Sequence, residues 1–205
     1  MTIEIEKFIK YCKKELPKAK VIFDIGTEDA RDALKFKNSF PDASVWAFEG
    51  NPFTYKKYSG ALEQEPINYT NLVLSDKISD SASFYAKTDE FPGISSLRNR
   101  GNEYPGQVID VKTTTIEHFC SENNISNIDV VKLDVEGCTY EVLKGFGKLL
   151  STVKIFHLET ERYQYFDGQI LESEVFDLLK ENGFVLTGHS RCFDHQYDSV
   201  WKRKS

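Results

Sequence analysis

The sequence predicts an α/β fold: a doubly wound, mostly parallel sheet with helices on both faces and an antiparallel hairpin at one edge. Three observations carry this. Short apolar runs rich in β-branched and aromatic residues alternate along the chain with segments of helical periodicity. The run Val21-Ile22-Phe23-Asp24-Ile25-Gly26-Thr27 is apolar on both faces and closes on Gly, as a buried parallel strand feeding a tight turn does. The last two strand segments, 184–189 and 197–201, follow one another with no helix between them. A right-handed crossover would require one, so they form a hairpin.

The elements follow in order. In residues 1–17, Ile3, Ile5, Phe8, Ile9, Cys12 and Leu16 make a near-helical stripe that Pro17 ends; this extra N-terminal helix is expected to pack on the core as a lid. After the first strand, residues 28–36 read as a helix start with acids in the first turn. Residues 44–49 are a second strand ending in an acid, Gly50-Asn51-Pro52 is turn chemistry, and 53–63 is a helix. Residues 67–75 read as one third strand, with 82–87 as a hairpin partner or edge strand. Residues 88–106 contain two Pro and three Gly and read as a long loop of the kind that often serves as a lid. Strand 107–114 follows, then Thr115 as the cap of a helix over 116–123. A buried strand over 128–135, a helix over 140–150, a strand over 152–158 leading to Glu159 and a helix over 172–182 closed by Gly183 complete the series.

The 205 residues fit a single domain spanning 1–205, with no repeat or linker dividing it. The formal net charge is -6 and the longest Lys/Arg run is Lys202-Arg203-Lys204, which argues against nucleic acid as a partner. No apolar stretch is long enough for a membrane span, and the charged amino terminus lacks a signal peptide's apolar core. Cys12, Cys120, Cys138 and Cys192 are scattered without a C-x-x-C pair. That spacing argues against structural zinc and for reduced thiols in a cytoplasmic protein.

Four strand candidates end in acids: Asp24, Glu49, Asp134 and Glu159. One such acid is most often a turn former or helix cap. Four at the carboxyl edge of one sheet share a crevice, where clustered carboxylates call for a ligand or cation. Glu49 stands 23 residues after Gly26, where a Rossmann-like unit places the acid that binds a ribose. The ribose could belong to NAD or to S-adenosylmethionine (SAM). The turn Ile25-Gly26-Thr27-Glu28-Asp29-Ala30 lacks G-x-G-x-x-G and carries two acids. It suits a sulfonium and an ammonium better than a pyrophosphate, so charge favours SAM.

The chain resembles the FkbM family of class I SAM-dependent methyltransferases. The resemblance rests on Phe23-Asp24-Ile25-Gly26, Ala47-Phe48-Glu49-Gly50-Asn51-Pro52, Leu74-Ser75-Asp76-Lys77, Ile94-Ser95-Ser96-Leu97, and Val111-Lys112-Thr113-Thr114-Thr115-Ile116. It rests above all on Val131-Lys132-Leu133-Asp134-Val135-Glu136-Gly137, followed by Glu141-Val142-Leu143-Lys144-Gly145 and His157-Leu158-Glu159. It spans residues 20–188 and implies a seven-stranded, mostly parallel sheet with an antiparallel C-terminal strand, the hairpin occupying 184–201. It further implies that Asp24, Gly26 and Thr27 hold the methionine part of SAM, Glu49 the ribose, Asn51 the same loop, and Ser75 and Asp76 the adenine. Asp134 would stand beside sulfonium and acceptor, with Glu136 and Glu159 lining the acceptor side. Members typically methylate hydroxyls of sugars or natural products, here with a possible place in a larger glycan-synthesis enzyme or assembly. Three residues depart from the pattern: Glu28 for a small polar residue, Ala30 for a second Gly, and Gly50 for Pro. Alanine at position 30 does not adopt positive φ without strain.

Methyl transfer to an unactivated hydroxyl calls for a base or a metal. The candidate bases are Asp134, Glu136, His157, Glu159 and His189. His157 stands one strand step deeper than Glu159, where a structural role also fits. Asp134 with Glu136 or Glu159 could hold magnesium, although no spacing demands it. Phe91, Arg98, Arg100 and Tyr104 of the long loop, and Arg162, Tyr163, Tyr165 and Phe166 after Glu159, are candidates to contact an acceptor. The competing readings are a nicotinamide-linked oxidoreductase and a non-catalytic module that keeps the fold.

Overall fold

A computed structural model describes residues 4–88, 92–101 and 106–204. The elements in chain order are α1 (Ile5–Glu15), β1 (Val21–Ile25), α2 (Arg31–Ser39), β2 (Ser44–Glu49), α3 (Pro52–Leu62), β3 (Asn68–Asn71), β4 (Val73–Leu74) and β5 (Ser79–Ala86). They continue with β6 (Gln107–Thr114), α4 (Ile116–Glu122), β7 (Val130–Leu133), α5 (Thr139–Gly145), β8 (Ile155–Glu161), α6 (Glu172–Glu181), β9 (Phe184–Phe193) and β10 (Gln196–Arg203).

Seven strands form the main sheet in the order β3-β2-β1-β7-β8-β10-β9. The first five run parallel, and β10 is antiparallel to both β8 and β9, as the expected terminal hairpin requires. The strand order reverses between β1 and β7, so a crevice opens at their carboxyl ends. Alternation along the strands feeds two cores. Phe23, Ile25, Val131 and Leu133 face α4, α5 and α6 through Phe119, Val142, Leu143 and Val175. Ile22, Val130 and Ile155 face α1 and α2 through Phe8, Cys12, Ala33 and Phe36. Asp24, Lys132 and His157 are register neighbours across β1, β7 and β8. They share the α1/α2 face with Ile22, Val130 and Ile155, two residues before each of them.

Several expectations need correction. The segment 67–75 is two strands. Leu72 donates its N–H to the Glu49 carbonyl, after which Val73 and Leu74 leave the main sheet and pair with Thr113 and Thr114 of β6. Val73 and Leu74 are both buried, and a second sheet of order β4-β6-β5 covers them. The helix read from residue 28 starts at Arg31, because Glu28 and Ala30 adopt φ of 52° and 60° and form a turn. Strand β8 runs to Glu161, so Glu159 lies inside a strand rather than at its end. The helix read over 140–150 ends at Gly145 and continues as a 3-10 turn, Gly147–Ser151.

Thr115 caps α4, accepting the His118 N–H at 3.1 Å, and Asn51 caps α3, accepting the Phe53 N–H at 3.0 Å. Helix α1 lies on the sheet rather than over the crevice. Phe8 packs edge-on against Phe36 with centroids 6.0 Å apart and against the His157 ring at 5.0 Å. Truncation of this fully buried ring, Phe8→Ala, is expected to lower unfolding free energy by about 3–5 kcal/mol in a urea titration.

Candidate active site

The turn after β1 is built by its neighbours. Gly26 has φ 77°, and a Cβ there would lie 1.7 Å from the Asp134 carbonyl oxygen, so only glycine lets β1 and β7 approach at this point. Glu28 also has positive φ, and both of its peptide groups are held. Its N–H donates to Glu49 Oε2 at 2.8 Å, and its carbonyl accepts the Tyr69 hydroxyl at 2.6 Å. Glu49 Oε1 accepts the Asn51 N–H at 2.6 Å. Together these bonds fix a strained turn at the mouth of a crevice.

The crevice is a cleft of about 330 Å³. One wall is apolar, with Ile25, Phe48, Leu72, Val73, Leu74 and Phe84. Glu28, Glu49, Asp134 and Glu136 also line it, and no Lys or Arg is among the described lining residues. Gly93, Ile94, Ser95, Ser96 and Leu97 close the far side, so the described part of the long loop is a wall of the cleft. It is pinned there. Ser95 Oγ receives the Asn51 amide at 3.0 Å and the Lys87 N–H at 2.9 Å, and Ser96 Oγ donates to the Glu136 carbonyl at 2.6 Å.

Beneath the floor lies a buried charge network. Lys132 Nζ stands 3.5 Å from Asp24 Oδ1, 3.7 Å from Asp32 Oδ2 and 3.6 Å from Asp134 Oδ2. Burial alone would push the lysine down; the three carboxylates outweigh it and hold the ammonium charged. Asp24 is fully buried and accepts the Thr27 hydroxyl at 2.5 Å. Its burial pushes its pKa up against the opposing pull of Lys132 and Thr27.

The sequence-derived candidates therefore separate. Gly26, Glu49, Asp134 and Glu136 line the cleft. Asp24 and Thr27 lie under the turn, and Asn51 is fully buried, donating to the Lys87 carbonyl at 2.7 Å. Ser75 is buried and bonded to Asp76, and neither reaches the cleft wall. Asp134, Glu136 and Glu159 each bring a carboxylate oxygen within 4.8 Å of the others, close enough to admit a hard divalent cation. Burial pushes Glu136 up to about 8 and Glu159 up to about 10, with Asp134 adding to both. His157 is buried under Phe8 and away from the cleft lining; burial and Lys132 push it down to about 3. His189 bonds Glu172 at 2.8 Å and stacks on Tyr197, outside the cleft lining.

Among the acceptor candidates, Arg98 pairs with Glu141 at 2.5 Å and donates to the Asp167 carbonyl. Arg100 lies 3.5 Å from Glu136 and over the Tyr165 and Phe166 rings. Arg162 pairs with Glu172, Tyr163 is exposed and Phe166 is buried. Phe91 and Tyr104 lie outside the described residues. Sequence reasoning overlooked Lys132 and Tyr69. For Lys132 there was a signal: lysine inside the apolar run Val130-Val131-Lys132-Leu133 is almost never buried without partners. For Tyr69 there was none, since its role depends on where the Glu28 carbonyl points.

The family model described as the methyltransferase FkbM domain matches residues 24–186. Among curated proteins, the chain is 26% identical to the 2-O-methyltransferase NoeI of Sinorhizobium fredii, over 78% of this chain and 70% of that protein. It is also 26% identical to the hexuronic acid methyltransferase AglP of Haloferax volcanii, over 74% of this chain and 60% of that one. Two solved structures share the fold at 12% identity. The precorrin-6y C5,15-methyltransferase of Geobacter metallireducens superposes with TM-score 0.52, covering 98% of this chain and 88% of that one. The N-terminal domain of EvdMO1 with SAH bound gives 0.55, covering 100% and 83%.

Two outcomes follow from this geometry. Gly26→Ala must displace the Asp134 carbonyl, so it is expected to lower the urea midpoint, with a loss of at least about 2 kcal/mol. Burial raises Glu49 from 4.5 to about 7 in the folded chain. Its contribution to stability is complete below pH 4.5 and is lost as pH rises through 7. The urea midpoint should therefore fall across that interval, and Glu49→Gln should make the fall shallower.

Proposed function

The chain belongs to the FkbM family of methyltransferases, and from that premise we propose that it is a SAM-dependent O-methyltransferase acting on a hydroxyl of a sugar or glycan. The observation that carries the cofactor reading is the donor set of the cleft: four carboxylates, an apolar wall and no described Lys or Arg. A pyrophosphate would meet uncompensated negative charge there, whereas a ligand with an ammonium, a sulfonium, ribose hydroxyls and a flat aromatic base finds a partner for each part. An oxygen acceptor is supported by the name of one curated relative, a 2-O-methyltransferase, and a sugar by that of the other, a hexuronic acid methyltransferase.

In this reading Glu49, preset by the Glu28 and Asn51 N–H groups, accepts hydrogen bonds from the ribose hydroxyls. Phe48, Leu74 and Phe84 flank the adenine. Glu28 takes the ammonium; its carboxylate lies 3.6 Å from the position of a Cβ on Gly93 and so reaches the opposite wall. Asp24 and Thr27 act from below by shaping the turn, and Asn51 by tying α3 to the loop wall. Bound SAM supplies an electrophilic methyl on a sulfonium. Asp134, with one oxygen turned to Lys132, orients the acceptor hydroxyl, and the Asp134–Glu136 pair accepts its proton. Glu136 has φ 41° and is held by Ser96, so its carboxylate is aimed before any acceptor arrives.

The test uses two variants and two readouts. Calorimetric titration should give SAM binding weakened by about 1–3 kcal/mol in Glu49→Ala, with NAD not bound by the wild-type chain. At saturating SAM, Asp134→Asn should lose methyl transfer from labelled SAM to an oligosaccharide panel. Tight NAD binding without SAM binding, or full turnover by Asp134→Asn, would overturn the reading.

A further inference from the structure

Resting on the sugar-acceptor reading above, we propose that Tyr163, Tyr165 and His195 form a stacking platform for a second sugar unit, so that the acceptor is an oligosaccharide rather than a single sugar. The first observation is size. The cleft of about 330 Å³ lies at the lower end of the range that holds one drug-sized ligand. Filled by the cofactor, it leaves the acceptor to the surface beyond Glu136. Among the described residues, Arg100 leads there. Its guanidinium stands 3.5 Å from Glu136 Oε2 on one side and 5.4 Å from the centre of the Tyr165 ring on the other. The Tyr165 ring meets that of Tyr163 edge-on at 5.4 Å, and the Tyr163 ring lies 5.7 Å from that of His195, tilted by 33°. Arg100 and the three rings thus run outward from Glu136 in an unbroken series of contacts.

The second observation is exposure on a fixed frame. Tyr163 is 59% exposed, His195 is exposed, and Phe193, 70% exposed, flanks the same hairpin turn. Exposed apolar clusters mark interaction sites, and core packing, which explains the buried Phe166, does not explain these rings. The chain that carries them is held. Arg162 donates its N–H to the His195 carbonyl at 2.9 Å, and Asp167 donates to the Asn99 carbonyl at 2.9 Å. Gln169 Oε1 accepts the Tyr165 N–H at 3.0 Å and the Phe166 N–H at 3.2 Å. Residues 162–169 are therefore clasped to the hairpin on one side and to the loop wall of the cleft on the other, so the rings are in place before a ligand arrives.

The chemistry of the patch names its occupant. A pyranose unit presents a C–H face that packs on an aromatic ring and a rim of hydroxyls that donate to carboxylates. Both partners are present: the ring faces of Tyr163 and His195, and Asp194 at the rim, whose Oδ2 lies 3.4 Å from the Tyr165 hydroxyl. A sugar whose hydroxyl lies beside Asp134 and Glu136 would place its neighbour in the chain on this platform.

The full chain is titrated with chitotriose, maltotriose, cellotriose and mannotriose, and with the corresponding single sugars, by saturation-transfer-difference NMR. At least one trisaccharide is expected to bind about five- to tenfold more tightly than its single sugar, the gain that one ring contact supplies. Tyr163→Ala and His195→Ala should each remove that gain and Tyr163→Phe should keep it, with SAM affinity and far-ultraviolet circular dichroism unchanged. In methyl transfer from labelled SAM, Tyr163→Ala should raise KM for the trisaccharide by the same factor and leave kcat, and KM for the single sugar, unaltered. Equal binding of trisaccharides and single sugars, no trisaccharide binding, or binding undiminished in both alanine variants would overturn the platform. Self-association in sedimentation that Tyr163→Ala abolishes would also overturn it, by assigning the rings to a second copy of the chain. Methyl transfer to a single sugar with no trisaccharide preference would overturn the platform and leave the methyl-transfer reading standing. Tyr163-dependent trisaccharide binding without methyl transfer to any sugar would do the reverse.

Discussion

The buried ammonium of Lys132 is the interaction on which the crevice depends. A lysine in the middle of a four-residue strand with apolar neighbours is held almost entirely out of water, with 9% of its surface exposed. It is tolerable only because Asp24 from β1, Asp32 from α2 and Asp134 beyond β7 converge on it at 3.5–3.7 Å. Such a network adds little net stability against an apolar core, but loss of one partner leaves a buried charge exposed to its neighbours. It therefore ties three elements to one point. It explains why Asp24 is buried beneath the turn, and it orients one oxygen of Asp134 downward while the residue lines the cleft.

Above that floor the backbone is strained in a patterned way. Glu28, Ala30 and Glu136 all have positive φ, and none of them is glycine. Glu28 is held by Glu49 and Tyr69, and Glu136 by Ser96. Strain of this kind persists where the surroundings over-determine it, and it commonly marks sites that must be formed before a ligand arrives. Ala30 shows the cost most directly, since a left-handed alanine starts helix α2 where glycine would do so without penalty.

The electrostatics act in the same direction. Burial raises Glu49 and Glu136 to about 7 and about 8, so at neutral pH the cleft holds protons as well as negative charge. A cation entering the cleft favours the ionised forms and is favoured by them in return. In the proposed reading, selectivity for a cationic ligand over a polyanion then follows from the carboxylates lining the cleft, without a dedicated discriminating residue. The second sheet contributes the other half of the recognition surface: Leu74 and Phe84 reach the cleft from β4 and β5 and supply its flat apolar wall.

The sequence by itself determined the α/β class, the terminal hairpin, the Gly26 turn and the strand-end acids Glu49 and Asp134. Each of these depends on local periodicity or on spacing along one βαβ unit, and such information is written in consecutive residues. Only the tertiary structure decided the rest. Asp24 and Glu159 looked equivalent to Glu49 and Asp134 in the sequence. One is sealed under the turn and the other lies inside β8, because a strand's end and the face of each side chain are set by its neighbours' register. The split of residues 67–75 into two sheets and the partners of Lys132 likewise join residues distant in the chain. No local pattern encodes which of these meet; the packing of two cores around one twisted sheet does.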